Sequence, residues 1–542
     1  MIIKQIENHP KLSIAIIAII MFAFNLDVLE VTIMEARNFI TAREMITDGN
    51  WLLTTMNGEP RYQKPPLPTW LAAISAFMFG AHSIYAMRLP GFIMVIVLAL
   101  CSYALSTKLL DNKQHSLING LLTLTSFYVI GIVIEAPWDI FAHGFMLMAI
   151  YHLFQLFGKF KNYWKHTLFA GVCIGLSIMS KGPVSVYALL LPFLIAYGLI
   201  YKYQHFKAKW FSVFTLVTIA LVIGGWWYLY VRLADPETFL EIAKRETDNW
   251  SSYNVRPFYY YWSFFTQSGL WTIPAFISLI YPYLKTRVSN LKAYRLTLLW
   301  TLLAVVLLSI IPEKKSRYLM PVLIPLALNM GFYFEYLFRR FKDLKDKRET
   351  IPIYFNFGLI GLIGIAFPIV GYFFLKNTIT ASWLQFSIAS LVLFVIGLFI
   401  IRNLFKKRVK IVFYLCIAFM VSVFLFAVPI TRHLKPDSYK PISALKTILD
   451  ESSETLFFLG DPSPEIIWNY GGKIKSFGAD RLQNQPTTLN VIVQTEQVED
   501  IKKLGDGYNI QFITTYSLNT VEEGTRGYKN RLSYNYYKLT LK

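Results

Sequence analysis

Long apolar stretches recur along the chain, roughly at 12–31, 84–107, 117–134, 138–157, 167–180, 184–201, 211–231, 263–284, 296–312, 318–338, 353–375, 383–401 and 409–430. A helix needs about 20 mostly apolar residues to cross a bilayer, so the pattern predicts about thirteen transmembrane helices. Lys181-Gly182-Pro183 separates two of these runs, because a proline ends one helix and a short turn begins the next. Past residue 430 the rhythm shortens. The segments "TLFFLG", "LNVIVQT", "YNIQFITTY" and "YNYYKLTL" read as strands, and "SPEIIWNY" and "QVEDIKKL" read as short helices. The expected fold class is an all-α polytopic membrane protein over 1–430, with amphipathic outer-loop helices, followed by a small accessory α/β domain over 431–542.

The polar connections set an orientation. Lys4 and Lys11 precede the first apolar run, which continues to about Leu26 with no small-residue cleavage site, so it reads as an uncleaved first helix. With the N-terminus in the cytoplasm, the even-numbered loops carry Lys108 and Lys113, Lys159 to Lys165, Lys202 to Lys209, Lys285 to Arg295, Arg339 to Arg348, and Lys406 to Lys410. All of them obey the positive-inside rule. An odd number of spans then leaves the C-terminal domain outside, which in a bacterium is the periplasmic face of the inner membrane. The outer connections 32–83 and 232–262 are long and mix acids, bases and aromatics. Glu35 to Ile46 has the spacing of a helix lying on a membrane surface.

Composition agrees. Hydrophobic residues make up 55% and charged residues 16% of the 542, where a soluble protein carries about a quarter charged. The net charge of +20 lies in the cytoplasmic loops, so nucleic acid is not an expected partner. Cys101, Cys173 and Cys416 each sit inside an apolar run and suggest neither a disulfide framework nor a metal site.

Ionisable groups beside apolar helices are costly and are functional candidates by default. On the outer side these are Glu35, Arg37, Lys64, Glu135, Asp139, Lys181, Lys314, Lys315 and Arg317, with Tyr318 next to the last. Taken singly, each reads equally well as an interfacial charge or an ion pair between helices. Together, several cations and at least two acids at one membrane face suit a phosphate or pyrophosphate held at the lipid–water interface.

The series "EARNFITAREM", "DGNWLLTTMNGEPRYQKPPLPTWL", "SKGP" and "SRYLMP" resembles the lipid-linked-sugar glycosyltransferases of the GT-C class. These form the protein O-mannosyltransferase and lipid A aminoarabinose transferase superfamily, and the resemblance covers about 12–430. It implies transfer of a sugar from a polyprenyl-phosphate donor to a lipid, glycan or protein acceptor on the outer face, with inversion. It further implies donor-phosphate contacts by Lys64, Lys181 and Tyr318, matches Arg37 to the family's loop arginine and makes Asp139 the acid that orients Lys64; the charge pattern adds Arg37 and Arg317 to the phosphate-binding set, and Asp139 joins Glu35 as a catalytic candidate. The family's first loop usually has Asp-Glu, where this chain has Met34-Glu35, so Glu35 is the remaining candidate base. A phosphate acceptor, already ionised near neutral pH, would need none. Some relatives bind a metal through positions that correspond here to Gln63 and Asn254. The expectation is therefore no metal at that site and no cofactor, with a divalent metal elsewhere left open. The rival readings are another lipid-linked-oligosaccharide polymerase or ligase, and a transporter; against the latter, the chain shows no internal repeat.

Overall fold

The computed structural model describes residues 2–126, 129–131, 137–159, 162–204, 206–376, 379–477, 488–502 and 507–542. Glu135 and Asp480 lie outside these residues.

Apolar sequence and helix coincide, but the expected count of thirteen full spans is not confirmed. Among the described residues, eight helices are long and apolar enough to cross a membrane: Ile84–Leu110, Trp138–Gly158, Phe206–Ala234, Leu291–Ile310, Ser316–Asp343, Lys347–Leu375, Ser382–Phe405 and Val409–His433. Ile2–Asn8 and Pro10–Ala23, bent by 112°, would make a ninth if counted as one span. Backbone breaks interrupt several of the runs, the one at Gly182 where the sequence places it. Gly182, at φ 65°, ends the helix Trp164–Lys181, and a shorter helical stretch follows from Val186. Gly269, also at φ 65°, breaks the 263–284 run into a 3-10 segment, Phe264–Trp271, and the short helix Thr272–Ser278. The first run stops at Ala23 rather than 31, and Asn25 donates its side-chain N–H to the Phe424 carbonyl at 2.9 Å.

The chain divides into two compact units. The first comprises Met1–Leu26, Tyr62–Pro68 and Arg88–Pro429. Its central element is the helix Met320–Arg340, apolar on nearly every face and almost wholly buried. Gly331 lets the helix Lys113–Leu124 come close, since a Cβ there would collide with the Asn119 side chain. Lys347–Leu375 is the opposite case, with only 17% of its apolar window buried. That leaves most of its apolar surface for lipid.

The second unit comprises Asp27–Arg61, Thr69–Met87 and Ile430–Lys542. Besides the C-terminal region from Ile430, it takes in most of the first outer loop. Its five-stranded sheet has the order Lys475–Ser476, Leu456–Leu459, Thr488–Gln494, Ser533–Leu541, Tyr508–Ser517. The first three strands run parallel and the last two pairings are antiparallel.

The helix Ile33–Asp48 does not lie on a surface with one face in water. Ala36, Phe39, Ile40, Ala42 and Met45 share a core with Ile466, Ile467 and Trp468. Much of the polar side is buried too, with Arg37, Thr47 and Asp48 left exposed, because the buried groups find partners. The Glu44 carboxylate accepts from the Thr55 hydroxyl (2.6 Å) and the Asn57 and Gly58 amides (2.6 and 3.2 Å). Arg43 donates to the Gly472 carbonyl at 3.1 Å and lies over the Trp468 ring. Burial pulls its guanidinium down to about 10, so it stays charged at neutral pH.

Candidate functional site: cations around Asp139 and Tyr318

Asp139 lies in the first turn of the helix Pro137–Gly158, and Lys181 closes the helix Trp164–Lys181. The two helices pack along their lengths, which brings the side chains together as an ion pair. The pair is nearly dry, with side-chain exposures of 11% for Lys181 and 3% for Asp139. Such a pair persists only while both partners are present, because either charge alone would be stranded in a low-dielectric setting. Gly182 follows directly. Its backbone favours glycine, and a Cβ there would meet the Tyr228 hydroxyl at 3.1 Å. His143 Nδ1 and the Ser185 hydroxyl, 2.8 Å apart, tie the far side of the same turn to the Asp139 helix. The "SKGP" turn is thus held on both sides, and Lys181 is aimed by its surroundings.

Around that pair the structure collects more charge. Lys64 interacts electrostatically with the Asp139 carboxylate. Lys181 Nζ lies 5.5 Å from the Tyr318 ring centroid, Lys315 Nζ 5.6 Å and the Arg317 guanidinium 6.0 Å. Glu313 accepts from Lys315 Nζ at 2.5 Å and from the Tyr318 hydroxyl at 3.1 Å. Lys315 also lies 4.7 Å from the ring of Tyr253, in the second long loop. Among the described residues of this cluster, four cations, Lys64, Lys181, Lys315 and Arg317, stand against two acids, Asp139 and Glu313. The electron-rich ring face of Tyr318 holds cations near one another without neutralising them.

Not every sequence candidate joins this cluster. Lys314 turns the other way, donating to the carbonyls of Ile311 (2.6 Å) and Arg256 (3.0 Å). It fastens two loops together, and burial lowers its pKa. Glu35 and Arg37 belong to the other unit. Thr32 donates its amide and hydroxyl to Glu35 Oε2 at 3.1 and 3.3 Å, and the Thr32 hydroxyl accepts from the Glu35 amide, a capping box. Arg37 is exposed on that helix. Gln63 Oε1 is buried with no hydrogen bond among the described residues, and Asn254 accepts from the Lys314 amide through its backbone. Among the described residues, no group of three or more His, Cys, Asp or Glu converges as metal ligands would. Sequence reasoning missed Glu313, His143, Ser185 and Tyr253. Only Glu313 left a signal, as the single acid in "PEKKSRY".

Comparison with known proteins gives a consistent picture. Residues 63–228 match the family model described as dolichyl-phosphate-mannose-protein mannosyltransferase. An undecaprenyl phosphate-alpha-4-amino-4-deoxy-L-arabinose arabinosyl transferase from Proteus mirabilis (strain HI4320) is 25% identical over 352 residues, 61% of this chain and 60% of that one. A protein from Aquifex aeolicus (strain VF5) without an assigned role is 24% identical over 53% of this chain and 56% of its own length. The chain thus spans little more than half the length of these relatives. The crystal structure of ArnT from Cupriavidus metallidurans bound to undecaprenyl phosphate superposes with a TM-score of 0.69 at 15% identity, covering 97% of both chains. The fold is therefore the multi-pass GT-C type expected from the sequence.

Proposed function

We propose that this chain, which shares its fold and its 63–228 segment with the protein O-mannosyltransferase and lipid A aminoarabinose transferase superfamily, moves a sugar from a polyprenyl-phosphate donor to an acceptor outside the cytoplasm. The observation that carries the reading is the convergence of Lys64, Lys181, Lys315 and Arg317 around Asp139 and Tyr318, with its positive surplus.

The chemistry accounts for that surplus. In the donor, the phosphate is a diester carrying one negative charge. The acceptor oxygen attacks the anomeric carbon from the face opposite the phosphate, and the bond from that carbon to the phosphate oxygen breaks. The lipid phosphate leaves with the electron pair and becomes a monoester of charge about −1.5 to −2. A site with surplus positive charge favours the leaving phosphate more than the donor, which is stabilisation where charge develops. Attack from the opposite face gives inversion. The likeness to the Proteus mirabilis undecaprenyl phosphate-alpha-4-amino-4-deoxy-L-arabinose arabinosyl transferase favours undecaprenyl phosphate as the lipid.

Glu35 is the candidate base if the acceptor is a hydroxyl. To take its proton, Glu35 would give up its capping bonds, a loss of about 1 kcal/mol. An ionised phosphate on a lipid acceptor attacks without a base, and we favour that acceptor. For topology we favour an N-terminus inside and the C-terminal domain outside the bacterial inner membrane, from the lysine and arginine distribution.

The test uses purified protein in nanodiscs, given polyprenyl-phosphate sugars including aminoarabinose. Release of polyprenyl phosphate matched by acceptor glycosylation supports the reading, and Lys64→Ala should abolish it with unchanged thermal unfolding. Full transfer by Lys64→Ala removes the site assignment. Glu35→Gln keeps a capping acceptor, so a loss of transfer points to a hydroxyl acceptor and retention to a phosphate. Movement of a solute with no consumption of any lipid-linked sugar overturns the enzyme reading in favour of a transporter.

A further inference from the structure

The far end of the helix Met320–Arg340 carries a second charged site, roughly 30 Å from Tyr318 at 1.5 Å per residue. An open surface groove of about 320 Å³ lies there, lined by Thr286, Arg287, Tyr336, Arg339, Arg340, Asp343 and Leu344. Ligand clefts of about 300 Å³ and above take small molecules or headgroups.

Two of its three guanidiniums are fixed by the protein. Arg287 donates to Glu349 Oε1 at 3.1 Å and to the Tyr283 carbonyl at 2.7 Å, and stacks 4.1 Å from the Tyr283 ring centroid. Glu349 is held in turn by the hydroxyls of Tyr283 and Tyr336 at 2.8 and 2.9 Å. Arg339 pairs with Glu335 and donates to the Arg287 carbonyl at 2.8 Å. Arg340 and Asp343 differ: both are exposed, and among the described residues neither makes a side-chain hydrogen bond or ion pair. The groove therefore offers an unspent guanidinium beside two preorganised ones, and an unspent carboxylate.

That combination matches a ligand with a phosphate and an ammonium a few atoms apart. Guanidinium is the group of choice for phosphate, and the carboxylate selects against a ligand lacking an amine. The site also sits at the end of membrane-crossing helices, next to Lys347–Leu375, whose apolar window is only 17% buried. Acyl chains can lie along that helix while a headgroup reaches the groove. We propose that this groove binds the aminoalkyl phosphate headgroup of a membrane phospholipid. The same chemistry occurs in soluble phosphoethanolamine, and helix position favours the lipid.

The test uses full-length protein, delipidated in detergent and read by native mass spectrometry and thermal shift. Probes are phosphatidylethanolamine, phosphatidylglycerol, phosphoethanolamine and inorganic phosphate. The expected result is retention of phosphatidylethanolamine about tenfold above phosphatidylglycerol, with no shift from either soluble phosphate at equal concentration. Arg340→Ala should weaken both lipids about tenfold. Asp343→Asn should abolish the preference for phosphatidylethanolamine while leaving phosphatidylglycerol retained. Both side chains are exposed and unbonded, so both variants should unfold at the wild-type temperature. Equal retention of the two lipids by the wild type, unchanged retention by Arg340→Ala, or binding of the soluble phosphates alone would each overturn the proposal.

Discussion

The two ends of the helix Met320–Arg340 make an instructive pair. At its N-terminal end, Tyr318 faces Lys181, which is paired with Asp139. At its C-terminal end, Tyr336 faces Arg287, which is paired with Glu349. The ingredients are alike: one acid, one base and tyrosine rings. The base differs, and so does the outcome. Arg287 uses its planar fork on a carboxylate and a carbonyl while its face covers a tyrosine. Lys181 carries a point charge on a flexible stem, paired with one carboxylate. A lysine can turn toward a phosphate whose charge grows during reaction, whereas a saturated arginine holds its neighbours still. The lysine-rich end suits chemistry, and the arginine-rich end suits a standing ligand.

The strongest way to break this comparison is at the lysine end. Lys181→Met should lower transfer by about 10²–10³-fold, the usual loss when one group that stabilises developing charge is removed. A turnover assay with a lipid-linked sugar reads it, and near-wild-type turnover would mean that Lys181 serves only to hold two helices together. Stability comes next. Asp139→Ala strands a buried lysine and should cost about 3–5 kcal/mol, seen as a lowered unfolding temperature in detergent. Glu349→Ala should cost less, about 2 kcal/mol, because the Arg287–Glu349 pair is more exposed and its hydroxyl donors can turn to water. The reverse order would show that the arginine end is the more tightly coupled.

Tyr318→Phe sharpens the picture at smaller scale. It keeps the ring under the cations and removes only the hydroxyl bond to Glu313, so transfer should fall by no more than about tenfold. A loss as large as that of Lys181→Met would give the hydroxyl a direct role. The smallest effect concerns pH. Hydrogen bonding from the Thr238 side chain, and less so from the Tyr62 hydroxyl and the Thr238 amide, lowers the pKa of Asp235. A depressed carboxylate contributes stability above its unfolded value and loses it as pH falls through the folded value. Acidification below the ordinary carboxylate range should therefore speed hydrogen exchange at the start of the helix Pro236–Ser252, and exchange there that ignores pH would discount the bond.

The site was partly legible before the fold. Lys64, Asp139, Lys181, Arg317 and Tyr318 stand out because each is a polar group beside an apolar run, and a bilayer makes that conspicuous. His143 and Ser185 do not stand out, since a lone His or Ser in a helix has no cost visible in the pattern. Lys314 and Lys315 are neighbours of the same type, yet one binds carbonyls and the other joins Glu313 and Tyr318. Backbone geometry alone separates them.

Sequence by itself determined that this is a multi-pass helical protein with a small sheet-containing C-terminal region, because hydrophobic length and period are local properties. It also determined which charges were anomalous. Only the tertiary structure decided how the 263–284 run is divided, since Gly269 acts through backbone conformation. Only it decided that the helix Ile33–Asp48 is buried with much of its polar side satisfied, because Trp468, more than 400 residues away in the chain, packs against it. Amphipathic spacing states that a helix has two faces, and what covers each face is settled by contacts that no local pattern contains.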